Sequence, residues 1–117
     1  MCPELVLFVK LLFGHAVADF GLQSSAMAAG KRGGGAVPPG QKPAVAWPYW
    51  LTAHALIHGA AVYTVTGSVT WGLFNTVCHG GLDWMKTRYY TDVHVDQTLH
   101  LVTLATIAVG AILVPLP

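Results

Sequence analysis

The sequence predicts an all-α polytopic membrane protein with four transmembrane helices in an antiparallel bundle. Of its 117 residues, 54% are hydrophobic and only 9% are charged, whereas charged residues make up about a quarter of a typical soluble domain. Four mostly apolar stretches are each long enough to cross a bilayer, which takes about 20 residues. A chain of this length suits one integral-membrane domain, residues 1–117.

The four helices are predicted from apolar runs and the turn residues between them. They cover residues 3–29, 47–66, 69–88 and 93–115. A flexible loop, 30–46, follows the first helix, because its Gly and Pro residues prevent a continued helix. Only Gly67 and Ser68 separate the second and third helices, and so short a connection predicts an antiparallel hairpin. The polar segment "YYTDVHV" breaks apolarity before the fourth helix.

The positions of Lys and Arg predict the orientation, because cytoplasmic connections carry the excess of basic residues. Apart from Lys10, within the first predicted helix, these residues lie in or beside the first and third connections: Lys31, Arg32, Lys42, Lys86 and Arg88. We therefore expect a multi-pass protein of the cell's inner (plasma) membrane in contact with lipid, with loops 30–46 and 89–93 cytoplasmic and both termini outside. A homo-oligomer is compatible with this arrangement. The few basic residues exclude a nucleic-acid groove.

Each predicted helix carries one pair of polar residues spaced four apart. The pairs are His15 and Asp19, His54 and His58, His79 and Asp83, and Asp96 and His100. Residues four apart lie on one face of a helix, about a turn from each other. In the predicted topology all four pairs fall in the cytoplasmic half of the membrane, so they are expected to meet in one cluster.

Metal coordination is the interpretation that best accounts for this cluster. An ionisable group within a span costs about 2.5–3.5 kcal/mol on insertion scales, so such groups face the bundle interior and compensate one another. Imidazole nitrogen and carboxylate oxygen are ligands of zinc and related ions. The eight residues therefore predict one or two divalent ions, zinc being favoured, with Gln23, Lys86 and Gln97 supporting the ligands. For any single pair, a polar contact between helices is the alternative.

A metal-dependent hydrolase is the functional hypothesis that follows. A bound divalent ion lowers the pKa of a water ligand to about 7 and supplies hydroxide. Asp19, Asp83 and Asp96 are the candidates for a bridging ligand or a base, and the substrate is expected to be amphiphilic or delivered from the cytoplasm. The alternative is a non-catalytic metal or proton carrier, a sensor or a closed structural site. Paired histidines also suit haem, although three aspartates do not.

The four pairs and their neighbours also form an ordered series of motifs. HxxxDFxLQ begins at His15, HxxxHG at His54, HxxxDxxK at His79 and DQxxH at Asp96. The series resembles a domain-of-unknown-function family of small bacterial and phage integral-membrane proteins, over nearly the whole chain. This resemblance implies a four-helix membrane fold and no established activity. The pattern is loosely similar to membrane-bound metal-dependent hydrolases, which also carry His and Asp at helical spacing.

Overall fold

A computed structural model describes residues 1–32, 39–40 and 43–117 of the chain, with side chains described from residue 47 onward in the last range. Within these residues the secondary structure is entirely helical. The α-helices are α1 (Pro3–Ala16), α2 (Ser25–Gly30), α3 (Pro43–Thr66), α4 (Val69–Thr87) and α5 (Val93–Leu113). A π-helical turn, Val17–Gly21, continues α1. Of the loop predicted over 30–46, residues 33–38 and 41–42, with Lys42, lie outside the described residues, and residues 43–46 belong to α3.

The prediction of four membrane-spanning helices is wrong. Among the described residues, only α5 is long and apolar enough to cross a bilayer, judged by its length and composition. Helix α1 has 14 residues, which at 1.5 Å per residue is about 21 Å against about 30 Å of hydrocarbon. Helix α4 has 19 residues but includes Asn75, His79, Asp83 and Lys86. In α3, the two histidines and the Pro, Trp, Tyr and Thr residues lower the mean hydropathy.

The predicted localisation changes with this result. A multi-pass inner-membrane protein is not supported, and the described part of the chain has one candidate membrane helix. The assignment of loops 30–46 and 89–93 to the cytoplasm depended on four crossings of the membrane. It therefore loses its basis, as does the assignment of both termini to the outside.

The first predicted helix, 3–29, is divided in the structure. The π-helical turn ends with a hydrogen bond from Leu22 N to Val17 O, and Ser24 then begins α2 by accepting the Met27 amide at 3.1 Å. A serine hydroxyl at this position satisfies one of the amides that a new helix leaves unpaired. Because of this break, Asp19 and Lys31 lie on two separate helical segments.

Glycines let α3 and α4 pack unusually close together. Gly67 makes the turn between the helices with φ of 72°, a conformation that glycine adopts without steric cost. A Cβ atom on Gly72 would lie 2.9 Å from the carbonyl oxygen of Gly59, and one on Gly59 would overlap the Thr76 hydroxyl. The two backbones are therefore nearly in contact directly beside His58.

An apolar core fills one part of the bundle, and the polar cluster lies next to this core. The buried core residues come from α1, α3 and α5: Leu11, Val62, Leu104, Ile107 and Ala108. Leu11 and Val62 each lie four residues from a buried histidine, His15 and His58. At helical spacing these positions are one turn apart on the same face. The stripe that forms the core therefore continues directly into the polar cluster.

Candidate metal centre

Four side chains from three elements form a group that could hold a metal ion. They are Asp19 of the π-helical turn, His54 and His58 of α3, and His79 of α4. Their ligand atoms all lie within 4.8 Å of one another. The three histidines are fully buried, whereas the Asp19 side chain is 13% exposed. Neutral imidazoles with one carboxylate are a donor set typical of zinc and similar divalent ions.

The Asp19 carboxylate is the centre on which three imidazoles converge. His58 Nε2 donates to its Oδ1 at 2.9 Å, with the proton assigned to Nε2. His54 Nε2 lies 3.3 Å from Oδ1 and His15 Nε2 lies 3.2 Å from Oδ2. Burial raises the pKa of Asp19, but the close polar contacts with His15, His54 and His58 outweigh it and hold the pKa well below its usual range. Asp19 is therefore ionised and available as a ligand.

The imidazole rings pack on one another, and the rings of His58 and His79 are held neutral. The rings of His58 and His79 are stacked with centroids 3.5 Å apart, and those of His79 and His100 are 4.4 Å apart. Burial lowers the pKa of His58 to about 4, even though Asp19 opposes this. Burial and the neighbouring histidines also lower the pKa of His79 far below its usual value. The neutral ring is the form that binds metal.

Several buried nitrogen atoms of the cluster have no hydrogen-bond partner within the described chain. They are Nε2 of His15, both ring nitrogens of His54 and Nε2 of His79. His15 and His54 approach Asp19 closely but without hydrogen-bond geometry. A buried polar atom without a partner costs about 1–3 kcal/mol, so this concentration in one place needs an explanation. Coordination of an ion would satisfy several of these atoms at once.

The remaining predicted ligands form an ion-pair network beside the histidines, made by Lys31, Asp83, Lys86 and Asp96. Lys31 Nζ lies 2.7 Å from Asp83 Oδ2. Lys86 Nζ lies 3.3 Å from Asp83 Oδ1 and 3.1 Å from Asp96 Oδ2. Burial lowers the pKa of Lys86, but Asp83 and Asp96 outweigh it and raise the pKa above its usual value. Two ammonium groups thus neutralise two carboxylates.

The network and the histidine group adjoin each other. His54 Nε2 lies 3.8 Å from Asp83 Oδ2, and His100 Nε2 lies 3.3 Å from Asp96 Oδ1. Gln97 donates to Asp96 at 3.1 Å. The structure therefore brings all eight residues of the predicted ligand set together, but in two groups of different character. Four form the possible metal site, and Asp83 and Asp96 face ammonium groups.

The three residues predicted to support the ligands have different positions. Lys86 and Gln97 contact the ion-pair network. Gln23 follows the π-helical turn, and its Oε1 is buried without a hydrogen-bond partner in the described residues. The structure therefore gives Gln23 no hydrogen bond to the cluster through this atom.

Lys31 is the member of the cluster that sequence reasoning missed. The sequence placed it in a basic cytoplasmic loop, but it is only 4% exposed. Burial lowers its pKa, against the pull of Asp83. No helical spacing links residue 31 to residue 83. The sequence held one signal for Lys31. The polar pairs contain more carboxylates than cations, and a buried lysine would balance that charge.

Comparisons with known proteins were made on the sequence and on the fold. A family model described as "Protein of unknown function (DUF3307)" matches residues 7–115. The searches of curated proteins and of solved structures gave no match.

Proposed function

The chain belongs to the DUF3307 family of proteins of unknown function, and we propose that it binds one divalent metal ion, zinc by preference, between the π-helical turn, α3 and α4. The observation that carries this proposal is the convergence of four ligand atoms within 4.8 Å, from Asp19, His54, His58 and His79. The imidazoles of His58 and His79 and the carboxylate of Asp19 are already in the protonation states that coordination requires.

The ion-pair network favours one ion over two. Asp83 and Asp96 would be the natural ligands of a second ion, but Lys31 and Lys86 lie 2.7–3.3 Å from their oxygens. An ammonium group at that distance repels a cation and occupies the lone pairs that the cation needs. The network therefore supports the histidine group from outside, as hydrogen-bonded neighbours of metal ligands commonly do.

The metal content of the purified protein tests this proposal. Elemental analysis after dialysis is expected to give about one zinc per chain, and His58→Gln and His79→Gln are expected to lose it. His94→Gln is the matched control, because His94 is exposed at the start of α5 and outside the cluster. Circular dichroism shows whether each variant keeps its helices. A metal-free wild-type protein, or equal loss in the His94 variant, would contradict the proposal.

Hydrolysis is the second candidate function, and the position of Asp19 favours it. Asp19 alone among the four residues is partly exposed, so an ion there would be reachable from outside. When bound, the ion supplies hydroxide by lowering the pKa of water to about 7. Asp19, His54, His58 and His79 would hold the ion, and a carbonyl or phosphoryl centre of the substrate would gain the water oxygen as the bond to its leaving oxygen breaks. His15, beside Asp19, would accept the proton from water and return it to the leaving oxygen.

The three predicted catalytic aspartates would then have different roles. Asp19 is proposed to contact the ion, since three imidazoles surround it. Asp83 and Asp96 are paired with ammonium groups, which occupy the carboxylate oxygens that a base would need to accept a proton. We assign them to positioning His54 and His100. A zinc-loaded protein that cleaves nitrophenyl esters or phosphates, with the activity lost in His15→Gln at full zinc content, would support this assignment.

A closed, non-catalytic site is the competing outcome of the same experiments. Four protein ligands with no open position would indicate a structural site or a metal carrier. Replacement of zinc by cobalt distinguishes the two, because its absorption spectrum reports four- or five-coordinate geometry. Haem does not fit the geometry, because ring centroids 3.5–5.0 Å apart leave no space for a porphyrin between the histidines.

A further inference from the structure

We propose that the protein binds an oxyanion of the phosphate class, such as a phosphate monoester, in a pocket formed by Arg32, Lys86 and Thr91. The pocket lies where the end of α2 meets the end of α4 and the start of α5. None of the four candidate metal ligands lines it. The inference therefore goes beyond the metal proposal and does not depend on it.

The position of Arg32 follows from the buried ion pair of its neighbour. Lys31 Nζ lies 2.7 Å from Asp83 Oδ2, and Lys86 Nζ lies 3.3 Å from the other oxygen of the same carboxylate. The Arg32 amide donates to Ala29 O at 3.2 Å, which continues the last turn of α2. A buried contact thus holds Arg32 near Lys86, and both residues line one pocket of about 330 Å³.

Lys86 and Arg32 supply charged donors for a ligand oxygen. An ammonium group has three donors. Asp96 accepts one from Lys86 at 3.1 Å and Asp83 lies 3.3 Å away, which among the described residues leaves at least one N–H for a ligand. No carboxylate in the described part of the chain pairs with Arg32, and its guanidinium can bind two phosphate oxygens at once. Arg32 is exposed and the Lys86 side chain is 29% exposed, so a ligand can reach both.

The Thr91 hydroxyl supplies a further donor. Thr91 lines the same pocket as the two cations. Its hydroxyl oxygen is buried and has no hydrogen-bond partner within the residues that the structure describes. A buried polar atom without a partner is unfavourable. A ligand oxygen in the pocket would accept this hydrogen bond and remove the cost.

The acidic residue of the pocket lining, Asp92, is already engaged by backbone amides. Its carboxylate accepts the amides of His94 and Val95 at 2.8 and 2.9 Å. These amides lie at the start of α5, and this end of a helix stabilises negative charge. The lining therefore has two cations against one carboxylate, and α5 already compensates that carboxylate.

The number of donor groups favours a phosphate over a carboxylate ligand. Arg32, Lys86 and Thr91 belong to three different segments of the chain, and each can serve a separate oxygen. A phosphate monoester has three terminal oxygens, whereas a carboxylate has two. The pocket volume of about 330 Å³ is near the lower end for small-molecule sites, so a substituent on the phosphate has to be small or extend into solvent.

Calorimetric titration with phenyl phosphate tests the inference, with benzoate and phenyltrimethylammonium as comparison ligands that carry the same ring. We expect phenyl phosphate to bind at least tenfold more tightly than either. Arg32→Gln should weaken its binding at least fivefold, and Arg32→Lys should restore part of it. Lys10→Gln removes the same charge from an exposed lysine outside the pocket and should have no effect. Equal loss in the two glutamine variants, or equal affinity for benzoate, would overturn the inference.

Thr91→Val separates a ligand contact from a structural role. The substitution removes a hydroxyl that lacks a partner in the described chain and keeps the shape of the side chain, so the ligand-free protein should be equally or more stable. Phenyl phosphate binding should weaken several-fold, and Thr91→Ser should retain it. Thr98→Val, at an exposed threonine of α5 outside the pocket, is the matched control. Wild-type affinity in Thr91→Val would contradict a site built on this hydroxyl.

Vesicles of phosphatidic acid distinguish a lipid head group from a soluble phosphate monoester. Sedimentation of the protein with these vesicles, prevented by phenyl phosphate and lost in Arg32→Gln, would identify a head group as the ligand. Phenyl phosphate binding without such sedimentation would identify a soluble ligand. Sedimentation that Arg32→Gln leaves unchanged, with no binding of phenyl phosphate, would overturn the inference.

Zinc content measured on the same samples separates this inference from the metal proposal. Phosphate can also bind an open position on a metal ion, so His58→Gln is titrated beside Arg32→Gln. Loss of phenyl phosphate binding in His58→Gln, with wild-type affinity in Arg32→Gln, would assign the phosphate to the metal and overturn the inference. If the wild-type protein binds zinc but no phenyl phosphate, the inference fails and the metal proposal stands. If it binds phenyl phosphate but no zinc, the reverse holds.

Discussion

His58 and His79 stack almost face to face, with ring centroids 3.5 Å apart and planes inclined by 16°. The stack is possible because Gly59, next to His58, lets α3 approach α4 closely. The close helix contact and the candidate metal centre therefore depend on the same few residues.

Gly59→Ala is expected to destabilise the fold and weaken metal binding. The added Cβ would overlap the Thr76 hydroxyl and approach the Gly72 carbonyl oxygen at 2.8 Å, which forces the helices apart at a cost of about 1–3 kcal/mol. Chemical denaturation measures this change. Gly81→Ala in α4 is the control, because nothing lies within 4 Å of its added Cβ, and it should be neutral or stabilising. Equal effects of both substitutions would contradict a packing role for Gly59.

Removal of zinc is expected to lower the melting temperature. A ligand that binds only the folded state adds about 2.7 kcal/mol to the free energy of unfolding at a hundredfold excess over its dissociation constant. The decrease in melting temperature on adding a chelator should be absent in His58→Gln and retained in His94→Gln. A melting temperature that does not respond to zinc would count against a site formed on folding.

Lys31→Ala is expected to be strongly destabilising, because it leaves Asp83 buried with one cation partner fewer. Removing one partner of a buried pair costs about 3–5 kcal/mol. Because Lys86 still lies 3.3 Å from Asp83, we expect the loss of stability to be near the lower value. Lys10→Ala, at an exposed lysine, should change the free energy of unfolding by less than about 0.5 kcal/mol. Equal stability of the two variants would show that the Lys31 contact is dispensable.

The metal-free protein is expected to lose stability as the pH falls from about 6.5 to 4. Burial lowers the pKa of folded His58 from 6.5 to about 4, so in this window the unfolded chain takes up a proton that the folded chain does not. The free energy of unfolding then falls by about 1.4 kcal/mol per pH unit for each such proton. Denaturation at several pH values measures the slope, which His58→Gln should reduce. A flat profile would mean that His58 is not held neutral by folding.

The sequence predicted the members of the polar cluster better than their arrangement. The four-residue spacing within each pair placed both side chains on one helical face, and the structure brings His15, His54 and His100 to a common centre. The spacing carried no information on which carboxylates face imidazoles and which face ammonium groups. That division depends on Lys31, which reaches Asp83 across 52 positions of the chain.

The membrane topology could not be predicted from apolar length alone. Apolar residues extend from 3 to 29, but the π-helical turn and the serine cap at Ser24 divide this stretch. Local hydrogen bonding of a serine competes with a continued helix, and a hydropathy pattern does not register it. In α4, the residues that build the polar cluster also reduce the apolar character of the helix. The prediction of a metal site and the prediction of a membrane span were therefore in conflict for this helix.

The balanced charges of Lys31, Asp83, Lys86 and Asp96 have a thermodynamic consequence for binding. Because this network is neutral before any ligand arrives, an incoming divalent cation has only the Asp19 carboxylate to compensate its charge, and the remaining positive charge raises the electrostatic potential at Lys86. An anion at Lys86 would then bind more tightly, and by reciprocity it would tighten cation binding by the same factor. The two equilibria are therefore coupled, and measuring either one at several concentrations of the other ligand gives the coupling free energy.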